Sequence, residues 1–281
     1  MIHPTAIVSP DAIVDASAEI GPYVVVDGPV RIGSRTRILP HVVIRGATVL
    51  GARNVVHPGA VLGGEPQDLA FRGGATFLTI GDDNVFREHV QVHRGTVAGS
   101  TTVIGNANYF MQNAHVAHNC RIGDHTIVAG GALLAGHVEL ADRAFVSGNC
   151  VVHQHVRIGT LALMRGLSRT SRDVPPFCLI DGTHTVRGVN VIGLRRAGFS
   201  ADRIAHVRRA VAALFGRPVH LGRALARIES APMTDDVRHL VAFVRASTRG
   251  VCLAPRRELN GRPGPSISET SSDTDSESPL E

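Results

Sequence analysis

Residues 110–140 read FMQNAHVAHNCRIGDHTIVAGGALLAGHVEL. A large apolar residue returns every six positions, at Phe110, Val116, Ile122, Val128, Leu134 and Leu140. That period matches neither the roughly 3.6 of an amphipathic helix nor the alternation of a half-buried strand. It is the period of a hexapeptide-repeat parallel β-helix. Between the apolar positions sit His115, His118 and His137.

Counted outward in both directions, one register runs from Ile2 to Met164. It has 28 positions, of which only Asp68, Gly74 and Ala98 lack a large apolar group, so chance alignment is excluded. Three hexads make one triangular coil of eighteen residues, with apolar groups stacking on their counterparts one coil away. Each coil buries its neighbour's face, and stability accumulates neighbour by neighbour. The residue after the apolar one is often glycine, as at Gly33, Gly51, Gly81, Gly105 and Gly123, which suits a tight corner. A sandwich with glycine turns would alternate and space its strands irregularly.

The register breaks at 63–79 (GGEPQDLAFRGGATFLT) and again near 95–102. Excursions from a rigid scaffold tend to carry function, and Gln67, Asp68 and Arg72 are the polar candidates of the first. Histidines concentrate in the clean block 104–164. His137 and His155 lie eighteen apart and stack on one corner, with Asn119 one coil before His137. Such a stack fits a metal site or a polar ladder lining a groove. His3, His41 and His57 read as surface histidines.

After residue 189 the period turns helical, with Ser200 as an N-cap before Ile204, Val207, Val211 and Leu214. Helices are predicted over 200–215, 219–230 and 234–247. The chain therefore divides into a β-helix over 1–189, a helical unit over 190–250 and a disordered, serine-rich tail over 251–281.

All 29 basic residues are arginine, and the net charge is +5. That balance suits an acidic partner or a phosphorylated ligand, or reflects codon bias, and is too mild for a nucleic-acid signature. Cys120, Cys150, Cys178 and Cys252 are widely spaced, as in a reducing compartment. No leader or membrane-length apolar run is visible, and a soluble cytoplasmic protein is expected.

His118 is the strongest chemical candidate, because a neutral imidazole takes a proton from a hydroxyl attacking a carbonyl. A groove-lining hydrogen bonder is the plainer reading of that one residue. Zinc needs a completed ligand set, and His115 and His118 have no third member. Motifs for a nucleophilic serine or a phosphate-binding loop are absent.

Read together, QDL (67–69), VHRGT (92–96), NAHVAHNC (113–120), LAGHV (134–138), VVHQ (151–154), DVPPF (173–177), GVNVIGLRRAGF (188–199) and STRG (247–250) carry a resemblance. Over residues 1–250 the chain resembles the acyl-[acyl-carrier-protein]:UDP-N-acetylglucosamine O-acyltransferases of lipid A biosynthesis. The resemblance implies an all-β left-handed parallel β-helix followed by a small α-helical C-terminal domain. It implies a homotrimer that moves an R-3-hydroxyacyl group from acyl carrier protein to the sugar 3-hydroxyl. No cofactor is implied beyond the phosphopantetheine that carries the donor, and no metal. His118 would be the general base and the Gly136 N–H would hold the oxyanion. Gln67, Asp68, His93, His115, His137, His153, Gln154, Asn190 and Arg196 would bind substrate, and Gly166 would set acyl length. This chain departs from the family's pattern at Ala70, Asn119, Ile192 and Ala197, three of which stand where nucleotide-sugar contacts are expected. The departures leave two alternatives: a paralogue acylating a different nucleotide sugar or related acceptor, or a non-catalytic binding module for carrier protein or sugar nucleotide.

Overall fold

In the computed structural model, residues 1–216 and 220–254 are described. Most hexads contribute a strand of two to four residues and then a corner. Strands one coil apart pair in parallel, as Tyr109–Phe110 does with Ile127–Val128, and Ile127–Val128 with Phe145–Val146. Among the described residues they form three sheets of nine, eight and ten strands, the faces of a prism. The first face starts at Ile7–Val8, the second at Ile13–Val14 and the third at Glu19–Ile20, and the chain visits them in that order. The coil is a left-handed parallel β-helix.

The register residues point inward. Leu50, Leu62, Phe86, Phe110 and Leu140 are almost wholly buried. Phe86 and Phe110 stack with centroids 4.9 Å apart and planes 3° from parallel, so the core is a column rather than a globule. At the three stations where the register lacks a large apolar group, the chain leaves the prism at two places. Val61 pairs with Gln91 instead of a residue eighteen later, and Phe77 pairs with Thr101. Strand structure extends through Gly64 and resumes at Phe77, and the next gap lies between His93 and Thr101. The excursions are thus residues 65–76 and 94–100, shorter than the sequence breaks because paired backbone continues past the last register residue.

Glycine has a different job from the one the sequence implied. The left-handed backbone at the corners falls mostly on non-glycine residues, among them Asn119 (φ 61°), His137 (φ 61°) and His155 (φ 62°), with Gly59 and Gly131 as exceptions. Asn and His tolerate that region better than most side chains. Gly33 instead serves stacking: a Cβ there would lie 2.6 Å from the Gly51 carbonyl carbon.

Past the last coil, Cys178–Ile180 pairs antiparallel with Val186–Val189 and leads into four helices. These are α1 (Val191–Arg196), α2 (Ala201–Phe215), α3 (Leu221–Glu229) and α4 (Asp235–Arg245). Ser200 caps α2, accepting from the Arg203 N–H, and Thr234 caps α4. The helical unit is clamped to the prism by Arg157. Its guanidinium meets the buried Asp173 carboxylate at 2.9 Å and lies 4.4 Å from the Phe243 ring centroid.

The tail reading needs correcting at its start. Residues 251–254 are tied to the body: Val251 bridges Asp173, Leu253 bridges Thr185, and Val251 and Cys252 are buried. The Cys252 N–H donates to the Asp173 carbonyl, so the clamp residue also holds this segment. Residues 255–281 of the expected disordered tail lie outside the described residues. No described helix is long and apolar enough to cross a membrane.

Candidate active site

The corner between the first and second faces repeats every coil. It brings His118, Gly136 and Gln154 into one column, with Asn119, His137 and His155 beside them. The rings confirm the stacking. His137 lies over His155 at 4.4 Å and 14°, and meets His118 edge-on at 5.3 Å. A polar pit of about 300 Å³ opens beside them, lined by Asn119, His137, His155, Arg157 and Asp173 among others.

The hydrogen bonds around Asn119 assign the protons of His118. The Thr96 N–H donates to Asn119 Oδ1 at 3.1 Å, which identifies that atom as the amide oxygen. The same oxygen lies 2.9 Å from His118 Nδ1. An amide oxygen only accepts, so Nδ1 carries the proton and, in the neutral ring, Nε2 keeps its lone pair. Thr102 Oγ1 in turn accepts from the Asn119 N–H at 2.7 Å. Asn119 thus orients the His118 ring. Thr96 and Thr102, which orient Asn119, were not foreseen, because they arrive from the second excursion and the preceding coil.

Nε2 of His118 faces Asp68 Oδ2 at 3.7 Å. Asp68 belongs to the first excursion, and its other oxygen accepts from the Ala70 N–H. The turn at 68–71 therefore aims Oδ2 at the imidazole. Gly136 lies directly beneath the ring: a Cβ there would sit 2.6 Å from His118 Cε1 and Nε2. Among the described residues nothing accepts from the Gly136 N–H.

The neighbouring histidines are held neutral. Burial pushes His115 down to about 4, with the adjacent His93 adding to the effect. Burial likewise lowers His93 and His137, and His155 contributes to the shift of His137. His93 is only 7% exposed, and its Nδ1 is 2.6 Å from the Glu65 carbonyl. It holds the first excursion as well as lining the site. Gln67, on that excursion, is exposed. His153 Nδ1 is reached at 3.4 Å by Arg249, a residue of the STRG segment that had been given no role.

Three candidates lie elsewhere on the chain. Asn190 and Arg196 line a groove of about 710 Å³ on the third face, walled by Ile127, Phe145, Leu163 and Leu179. In a three-sided prism that face is opposite the edge bearing His118. Asn190 is buried, with both polar atoms engaged: Oδ1 caps α1 at Gly193 and Nδ2 donates to the Leu161 carbonyl. Gly166 sits exposed on the corner between the third and first faces. Ile192 and Ala197 line the same groove as Asn190, with Ile192 64% exposed. Arg72 donates within its own excursion, to the Leu69 and Phe71 carbonyls. Among the described residues no group of three or more His, Cys, Asp or Glu side chains is placed to hold a metal ion.

Comparisons with known sequences and structures place the chain among its relatives. Residues 173–252 match the model for domain 2 of UDP N-acetylglucosamine O-acyltransferase, and residues 29–64 and 101–136 match the bacterial transferase hexapeptide. A curated acyl-[acyl-carrier-protein]–UDP-N-acetylglucosamine O-acyltransferase of Anaeromyxobacter is 44% identical over 256 residues, covering 89% of this chain and 98% of its own. That of Thermodesulfovibrio yellowstonii is 40% identical over 254 residues, with the same coverage. The solved UDP-N-acetylglucosamine acyltransferase of Francisella novicida superposes with a TM-score of 0.87 at 32% identity, covering 91% of this chain and 95% of its own. With relatives at this identity spanning nearly their whole length, the chain belongs to the acyl-[acyl-carrier-protein]–UDP-N-acetylglucosamine O-acyltransferase family.

Proposed function

We propose that this chain transfers an R-3-hydroxyacyl group from acyl carrier protein to the 3-hydroxyl of UDP-N-acetylglucosamine, the opening step of lipid A biosynthesis. The observation that carries the chemistry is the fixed tautomer of His118, whose basic Nε2 lies above Gly136 and faces the first excursion. Nε2 takes the hydroxyl proton as the oxygen attacks the thioester carbonyl. The Gly136 N–H, which donates to none of the described residues, receives the oxyanion. Collapse expels the thiolate, which takes the proton back from the imidazolium, leaving an ester and a carrier thiol.

The binding residues extend the reading. Asp68, His115, His137, His153 and Gln154 surround the base, with Gln67 and His93 on and under the first excursion. Asn190, Arg196 and Gly166 belong to the same substrate only if a second copy supplies them. The edge of one chain would then face the third-face groove of the next, a head-to-tail contact that closes into a ring. The family resemblance gives three copies. Light scattering should return a mass near three times 29.8 kDa, and a monomer that turns over would remove the shared site.

For the donor, α1, α2 and α3 present Arg195, Arg196, Arg208, Arg209, Arg223 and Arg227, all exposed. None has a carboxylate partner among the described residues. Such a surface steers an acidic carrier protein.

A second reading is favoured by Ile192 and Ala197, which put apolar groups in the groove wall beside Arg196. It is a related but different acceptor. Acyl-carrier thioesters incubated with several UDP-sugars, with products read by mass spectrometry, decide between the two. Robust ester formation on UDP-N-acetylglucosamine supports the first. Product on another sugar alone supports the second, and ligand-induced stabilisation without any product would leave only a binding module.

A further inference from the structure

Residues 65–76 form a twelve-residue excursion that is largely exposed and contains Gly73 and Gly74 at positive φ. A segment of this kind has many accessible conformations, and ordering it costs conformational entropy. Yet Asp68, near its start, is held against His118. One side chain outside the excursion gathers both of its ends. Arg94 follows the strand Gln91–His93 on the first face, and its side chain is only 13% exposed. Its Nη1 donates to the Gly63 carbonyl at 3.0 Å and its Nη2 to Glu65 Oε1 at 3.3 Å, where the chain departs. Its Nε donates to Thr76 Oγ1 at 3.1 Å, where the chain returns. Its guanidinium also lies 5.6 Å from the centroid of Phe71, in the middle of the loop.

The backbone makes room for this contact. Gly46 has positive φ, and a Cβ there would approach the Arg94 Cδ and Nη1 to 3.3 Å. Thr76 is buried, and Arg94's own N–H donates to the Gly64 carbonyl. The guanidinium makes these bonds from three different nitrogens, a span that an ammonium's single nitrogen does not have.

We infer that Arg94 is a positioning residue for the acyl transfer: it closes the mouth of the 65–76 excursion and so holds Asp68 opposite the base. The inference rests on the proposed role of His118 and Asp68, and its test separates the two. Arg94→Met keeps the stem and removes every donor. It should lower kcat/KM about 10- to 100-fold, in line with the sensitivity of catalysis to small displacements. Arg94→Lys should recover only a small part of that loss. In an Asp68→Ala background, Arg94→Met should cost less than about threefold, because its effect passes through Asp68. Hydrogen exchange of peptides spanning 65–76, read by mass spectrometry, should quicken at least about tenfold in Arg94→Met. Thr76→Val removes a single acceptor and should shift both readouts the same way by less, which keeps the test open if Arg94→Met misfolds. Multiplicative losses in the double variant, or unchanged exchange of the loop, would overturn the clamp. A wild-type chain with no acyl transfer would instead overturn the functional reading, and the exchange measurement would still decide whether Arg94 closes the loop.

Discussion

The His118 edge and the third-face groove are built from the same coils and behave as opposites. The edge is a ladder of polar corner residues at left-handed φ, of which Asn119 is held by Thr96 from the second excursion and Thr102 from the preceding coil. The groove is a broad, mostly apolar hollow whose polar groups are Asn190 and Arg196 of the short capped helix α1 and His125 and Arg143 of the prism. One repeat can do both because corner residues face outward to solvent, while the wall of the groove is completed by the helical unit. The difference teaches where function can vary. At the edge, even a Cβ added at Gly136 would lie 2.6 Å from the His118 ring. In the groove, Ile192 and Ala197 replace charged groups expected from the family without disturbing the fold.

The sharpest way to break this contrast is at the base. His118→Ala should lower kcat about a thousandfold, within the range of general-base catalysis. Thermal unfolding should be little changed, because His118 is a corner residue outside the apolar column. Normal turnover in that variant would remove the edge from the chemistry. Gly136→Ala comes next, since the new Cβ would lie 2.6 Å from the imidazole. A loss of about 100-fold in kcat, with KM less affected, is expected from the displaced ring, and steady-state kinetics would read it.

The groove should answer more softly. Ala197→Arg adds a cation beside Arg196 and should lower KM for UDP-N-acetylglucosamine roughly tenfold through a charge-assisted bond to phosphate. An unchanged KM would detach the groove from the nucleotide. Asn190→Ala should cost about 1 kcal/mol of stability, measured by denaturant unfolding, because it removes the cap of α1.

The last prediction concerns stability against pH rather than turnover. His115 has a folded pKa of about 4, below its usual 6.5. As pH falls from 6.5 toward 4 the unfolded chain takes up a proton that the folded chain refuses, so stability drops across that window. His115→Gln should flatten the fall in denaturation midpoint between those pH values. An equal slope in both proteins would show that His115 is not its source.

Much of this was legible in order. The six-residue period predicts the coil and an inward column from Ile2 to Met164; the column is buried from Ile20 onward, while Ile2 at the open end of the prism is half exposed. The eighteen-residue spacing of His137 and His155 predicts their stacking, and the Ser200 cap predicts where α2 begins. The excursion contents were less legible: Asp68 stands out as a polar residue at a broken register position, but not as a group facing His118. Arg94 and Arg249 sit in the VHRGT and STRG segments, where sequence alone offers no partner for either. Val251 and Cys252 were assigned to the tail because their neighbours beyond 254 are polar, and one bridge to Asp173 is enough to order them.

Periodicity determined the scaffold, since a repeat that buries each coil against the next is a property of spacing alone. The tautomer of His118, the approach of Asp68 and the separation of edge from groove were decided only in three dimensions. Each depends on atoms brought together from distant parts of the chain, where no local pattern records the distance.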